Sequence, residues 1–233
     1  MRETHYQHIY SLVSEGRKGL AILIDPDKFN ASETAEFLAR IPTETTHLFV
    51  GGSTVTNGQT EATVTALKGH SKLPVFLFPG DHTQITAKAD ALLFLSLLSG
   101  RNAEYLVGQQ VKSISRIKRS QLEIIATGYL LLDGGNESAV ARVSNTRPMP
   151  QDDIDTIVNT ALAGQYMGAK LIYLEAGSGA HIPVSENVIR AVKKALAIPL
   201  IVGGGIRTNS QKHAAYTAGA DLVVMGTAFE KMN

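Results

Sequence analysis

The 233-residue sequence contains no cysteine and no tryptophan. The first absence excludes disulfides, iron–sulfur clusters, thiolate zinc sites and a cysteine nucleophile. Neither sign of charge is in excess: 22 Lys+Arg stand against 21 Asp+Glu, a formal net charge of +1. So even a balance carries no overall signal for nucleic acid, and no nucleic-acid partner is expected. No apolar run approaches the roughly 18 residues that a membrane helix needs. The opening MRETHYQHIY lacks the apolar stretch of a secretory signal. A cytoplasmic protein with no transmembrane segment is therefore expected. What is present is an ordinary globular mixture, 44% hydrophobic and 18% charged.

Eight short apolar runs punctuate the chain, at 20–26, 47–53, 74–80, 91–97, 123–129, 170–175, 199–205 and 222–226. Each is rich in Ile, Leu and Val, as parallel strands covered on both faces are. Helix-periodic segments lie between them, at 31–41, 56–67, 102–119, 152–167, 185–196 and 209–218. This alternation predicts a (β/α)8 TIM barrel forming a single domain over residues 1–233, with a doubly wound open sheet as the structural alternative. Residues 1–16 are expected to add a helix covering the bottom of the barrel. The connection 80–90 is short for a crossover helix, so a modified barrel with its third helix reduced or missing is expected.

Catalytic groups of such barrels collect at the C-terminal strand ends. The seventh run ends in Gly203-Gly204-Gly205-Ile206-Arg207 and the eighth in Met225-Gly226-Thr227. Backbone N–H groups of these loops, each expected to open a short helix, suit a phosphate. The first run ends in Asp25, a carboxylate that could hold Mg2+; Asp27 or Asn30 is the better helix cap. Ser53, after the second run, could supply another oxygen to that ion or cap the next helix. Glu175 ends the sixth run as a candidate general base, or as a strut paired with a buried lysine or arginine. The seven histidines show no ligand spacing, and most of them read as surface or satisfied residues. Asp152, Asp153 and Asp155 read as helix-start electrostatics. Apolar and aromatic residues, among them Phe94, Leu95, Leu97, Leu98, Tyr105, Leu106, Tyr129 and Leu130, gather near the fourth and fifth strand ends. A phosphate cradle facing a greasy flank suits an amphiphilic substrate.

Certain segments carry a family resemblance. They are LIDPDK (23–28), FVGGS (49–53), SGRN (99–102), TGY (127–129), VSNTRPMP (143–150), YLEAGSG (173–179), VGGGIR (202–207) and MGT (225–227). In this order they resemble the geranylgeranylglyceryl phosphate synthases and their bacterial relative, heptaprenylglyceryl phosphate synthase. The resemblance implies a prenyltransferase of ether-lipid biosynthesis. It would join geranylgeranyl diphosphate to the 3-hydroxyl of sn-glycerol 1-phosphate, with Mg2+ as cofactor. It implies Asp25 and Ser53 as Mg2+ ligands. Glycerol phosphate contacts would come from Tyr173, Leu174, Glu175, Ala176, Gly177, Ser178, Gly179, Gly204, Gly205, Gly226 and Thr227. The prenyl chain would lie beside Tyr105 and Tyr129, with Tyr105 favouring geranylgeranyl over the longer heptaprenyl group. Lacking a lysine before the Asp25 motif, the chain looks like the second of the family's two main groups. A homodimer or hexamer, and transient contact with a membrane surface, are also implied. The rivals are a sugar-phosphate isomerase or lyase and a non-catalytic barrel that binds a phosphate ligand.

Overall fold

The computed structural model describes residues 4–229. Residues 1–3 and 230–233 lie outside them, including the first residues of the expected covering helix and both ends of the expected domain. Among the described residues, eight parallel strands close into a barrel in sequence order. They are β1 (Gly19–Ile24), β2 (His47–Val50), β3 (Val75–Leu77), β4 (Ala91–Leu97), β5 (Glu123–Leu131), β6 (Leu171–Glu175), β7 (Leu200–Gly203) and β8 (Leu222–Met225). Closure is made by β1 on β8, with Gly19 opposite Leu222 and Ile22 opposite Met225. The open sheet is thereby excluded.

Successive side chains of a strand face opposite sides, and this parity builds two cores. The inner one contains Phe49, Phe76, Leu93, Ile125, Leu171, Tyr173 and Ile201. The outer one, between strands and helices, contains Ile22, Val50, Leu92, Leu130, Ile172, Leu174 and Val202. Eight α-helices are described: α1 (His5–Ser14), α2 (Thr34–Arg40), α3 (Gln59–His70), α4 (Gln109–Ile117), α5 (Ala139–Ser144), α6 (Ile154–Tyr166), α7 (Glu186–Ala195) and α8 (Asn209–Ala218). A single π-helical turn, Glu104–Gly108, leads into α4.

The covering helix is α1. It puts Ile9 into the inner core, and its first N–H groups, on His5 and Tyr6, donate to the Glu123 carboxylate at 2.6 and 3.1 Å. Residues 78–90, between β3 and β4, contain no helix. Helix α5 was not anticipated; it is six residues long and is started by Ser138, whose hydroxyl accepts from the Ala141 N–H. Asp153 caps α6 and Asp155 sits in its first turn, as helix-start acids should.

One histidine departs from expectation. His47 is fully buried among aromatic rings, its centroid 5.0 Å from that of Phe76. Its Nδ1 meets the Thr46 hydroxyl at 2.7 Å, but its Nε2 has no partner among the described residues. Burial foremost, then the charges of His8 and His5, push its pKa down to about 3.

Candidate active site

Strand parity decides what the mouth of the barrel presents. On β6, Tyr173 and Glu175 share the inward face with Leu171, whereas Leu174 turns outward into the outer core. The Glu175 carboxyl is 5% exposed, and its Oε1 accepts the Gly177 N–H at 2.7 Å. No lysine or arginine pairs with it among the described residues, so the strut reading fails. Burial raises its pKa; the Tyr173 hydroxyl and the Gly177 N–H offset this only in part. The Tyr173 hydroxyl is itself buried and makes no hydrogen bond of ordinary geometry, so it favours the carboxylate as a nearby dipole rather than as a bonded donor. Burial, and then the neighbouring Glu175 charge, hold the Tyr129 and Tyr173 phenols protonated well above their usual range.

The loop after β7 closes over this carboxyl. Gly204 has φ +82°, in the left-handed region. A β-carbon there would land on Glu175 Oε1 and stand 2.6 and 2.7 Å from the Ala176 and Gly177 amide nitrogens. Only glycine satisfies both constraints. Among the described residues no short helix directly follows β7, and the expectation of one after β8 falls largely outside the described residues. Residues 204–208 are a bend and turn leading to α8, whose N-terminus is already closed by a capping box between Thr208 and Gln211. After Gly226 the chain makes a turn, the Phe229 N–H donating to the Gly226 carbonyl at 2.9 Å.

Asp25 continues the inward parity of β1 past Leu23. It is half-buried; its Oδ1 accepts the Asp27 N–H at 3.1 Å and its Oδ2 lies 3.5 Å from Lys28 Nζ. Asp27 instead accepts from the Thr56 N–H and hydroxyl, and Asn30 caps the short 3-10 turn Ala31–Glu33. Ser53 caps nothing: α3 begins six residues later, behind Gly58. Gly52 brings its backbone against Asp25; a β-carbon there would stand 3.3 Å from Oδ1.

Gln84 holds this edge in place, and sequence reasoning missed it. Its side chain is 2% exposed. Its Nε2 donates to the Gly52 carbonyl at 2.9 Å, and its Oε1 accepts the N–H groups of Gly80 and Gly52 at 3.1 and 3.4 Å. The helix-free segment 78–90 is thus stapled to the Gly51-Gly52-Ser53 loop. Nothing local in the sequence marks a glutamine for that task.

These elements surround a cavity of about 370 Å³. Its polar end is lined by Asp25, Ser53, Glu175, Ser178, Gly204 and Gly205, with Gly226, Thr227, Lys28 and Arg207 at its edge. Its apolar end runs over Leu93, Leu95 and Tyr129 to Tyr105 on the π-helical turn, and out to Phe94 and Ile85, where the third helix is absent. The Tyr105 hydroxyl donates to the Val143 carbonyl at 3.2 Å, and Asn102 Nδ2 to the Ser144 carbonyl at 2.8 Å, so the π-helical turn leans on α5. Of the residues singled out, Ala176 packs in the outer core, and Gly177 and Gly179, with φ of +100° and +75°, shape the loop around Ser178. Leu98, Leu106 and Leu130 do not line the cavity.

Residues 13–233 match the PcrB family. The chain belongs to that family. This PcrB chain is 60% identical to a geranylgeranylglyceryl phosphate synthase of Zunongwangia profunda, over 92% of each chain. It is 50% identical to one of Flavobacterium johnsoniae, over 97% of this chain and 94% of that one. Among solved structures, (S)-3-O-geranylgeranylglyceryl phosphate synthase of Thermoplasma acidophilum, in complex with its substrate sn-glycerol-1-phosphate, superposes with a TM-score of 0.90 at 38% identity. That match covers 98% of this chain and 92% of the other.

Proposed function

We propose that this PcrB-family protein is a prenyltransferase that joins geranylgeranyl diphosphate to the 3-hydroxyl of sn-glycerol 1-phosphate, releasing diphosphate. The observation that carries the reading is the two-ended cavity: carboxylates, hydroxyls and glycine loops at one end, hydrocarbon and aromatic rings at the other. A small phosphorylated polyol fits the first and a prenyl chain the second. A sugar phosphate alone would leave the apolar end unused. A cytoplasmic location accompanies this reading; no helix among the described residues is long and apolar enough to cross a membrane.

In this reading the glycerol phosphate anion is held by the glycine loops at 204–205 and 226–227, with its free hydroxyls turned toward the loop at 175–178. Glu175 accepts the proton of the attacking hydroxyl. Its burial raises its proton affinity above that of an ordinary carboxylate, which favours it as a base. The Gly177 N–H fixes the carboxyl in place. The prenyl chain lies over Tyr129 toward Tyr105, which brings its C1 carbon to the hydroxyl, and positioning supplies much of the rate. Tyr129 and Tyr173 stay protonated and present no competing nucleophile.

The donor set around Asp25 bears on Mg2+. Among the described residues no three acids or histidines cluster as a self-sufficient metal cage. One half-buried carboxylate and the Ser53 hydroxyl at the cavity edge fit an ion that keeps water and substrate phosphate as its other ligands, as Mg2+ does. Bound there, Mg2+ would neutralise the diphosphate and make it a better leaving group.

The test is a product assay with radiolabelled sn-glycerol 1-phosphate, Mg2+ and farnesyl, geranylgeranyl or heptaprenyl diphosphate. An organic-soluble prenylglyceryl phosphate formed best from the geranylgeranyl donor is expected. No product from any donor, with folded protein and saturating Mg2+, would sink the transferase reading.

A further inference from the structure

The outer surface of the segment that walls the apolar end of the cavity combines exposed hydrocarbon with concentrated positive charge. Val107, Val111 and Ile114 are 55%, 67% and 39% exposed. Their spacing of four and then three residues sets them in one stripe. Gln109 and Ser113, on the other side of the same helix, line the cavity. Val143 on α5, 38% exposed, lines the cavity, and its carbonyl accepts from the Tyr105 hydroxyl, so α5 adjoins the turn that carries Val107. Over residues 101–119 the chain carries five cations (Arg101, Lys112, Arg116, Lys118 and Arg119) against one carboxylate, Glu104. That is +4 in a protein whose total is +1, so the rest of the chain is net negative. Glu104 is already paired with Lys112 at 2.5 Å, while Lys118 and Arg119 are exposed at the far end of the stripe.

We infer that this face of α4 and the turn before it docks on an anionic lipid surface, through the valine and isoleucine stripe and the cations around it. The inference rests on the prenyltransferase reading in one respect: a donor and a product that are amphiphiles would pass between bilayer and cavity beside Val143. The charge selects the occupant. A second copy docked face to face would bring its own Lys118 and Arg119 against these, whereas anionic headgroups complement them. Aliphatic side chains flanked by Lys and Arg on a helix suit the headgroup boundary.

The experiment is cosedimentation of the full chain with phosphatidylcholine vesicles, and with vesicles containing about a third phosphatidylglycerol. Binding only to the anionic vesicles, lost at high salt, is expected. Lys118→Glu with Arg119→Glu should weaken it by at least about 25-fold, from about fivefold per charge removed. Val111→Ser with Ile114→Ser should weaken it by about tenfold or more. All four positions are exposed and outside the catalytic groups, so prenyl transfer from detergent-dispersed donor should be unchanged in both variants. Absence of binding, equal binding to neutral vesicles, or variants that bind like the parent would overturn the proposal. So would a serine variant that dissociates a larger assembly in light scattering while vesicle binding persists, since the face would then belong to a second copy. If the parent transfers no prenyl group from detergent, the reading of the site fails on its own; if it transfers but ignores anionic vesicles, only the docking fails.

Discussion

Replacing Gly204 by alanine tests the proposed geometry around Glu175 most directly. The left-handed backbone at φ +82° costs a non-glycine residue about 1–2 kcal/mol. The new methyl would also meet backbone, 2.6 Å from the Ala176 nitrogen and 2.7 Å from the Gly177 nitrogen, where ordinary contact begins at 3.4 Å. The loop and the end of β6 must therefore part by about 0.8 Å, close to the misplacement that costs about 100-fold in rate. The parting strains the 2.7 Å bond from the Gly177 N–H to the carboxylate, worth about 1.5–3 kcal/mol as a bond to a charged group. Gly204→Ala should thus lose about 2.5–5 kcal/mol in denaturant unfolding and about 100-fold in kcat. Gly168→Ala is the control. Gly168 follows α6 with φ +97°, and a β-carbon there meets nothing within 4 Å. It should lose only the backbone penalty of about 1–2 kcal/mol and none of the activity. Equal destabilisation of the two variants, or an unchanged kcat in Gly204→Ala, would refute the reasoning.

Glu175→Gln should lower kcat by about 100- to 10,000-fold as the loss of a general base. Its folded-state pKa lies above the unfolded 4.5, so the native protein loses stability as pH rises through that interval; the glutamine variant should gain on the parent from about pH 4.5 upward, and a gap independent of pH would contradict the burial argument. Asp25→Asn should raise the Mg2+ concentration for half-maximal transfer by at least about tenfold, and an unchanged Mg2+ titration would remove that ligand. Gln84→Leu leaves the half-buried Gly52 carbonyl and Gly80 N–H without their partner, at up to about 1–3 kcal/mol for each group. A loss under about 1 kcal/mol in urea unfolding would mean that the staple is dispensable. His47 is neutral in the fold, so its contribution is present above pH 6.5 and drains away below it, by about 1.4 kcal/mol per pH unit down to about 3. The difference in unfolding free energy between the parent and His47→Gln should show that slope in acid, and a flat difference would refute the buried neutral imidazole.

All eight strands were legible because a strand covered on both faces is a continuous apolar run. Their C-terminal limits were not. The runs at 47–53 and 199–205 continue into glycines that the structure places in loops beyond β2 and β7. The motif at Asp25 and the glutamate at 175 could be placed at the mouth from strand order alone. The same alternation that turns Tyr173 and Glu175 inward turns Leu174 outward, a distinction already contained in the spacing of β6. Helix α5 carried too few residues to show a period. Gln84 left no trace, since its partner Gly52 is 32 positions away.

By itself, then, the sequence determined the barrel, the reduced third connection and the strand ends where polar groups gather. These follow from local periodicity and from the length of the connections. Only the tertiary structure decided that no cation among the described residues pairs with Glu175, that His47 is buried with a nitrogen that finds no partner among them, and that Tyr105 and Glu175 border one cavity. Burial, desolvation and the closing of a cavity are set by residues remote in the chain, which meet only when the eighth strand pairs with the first.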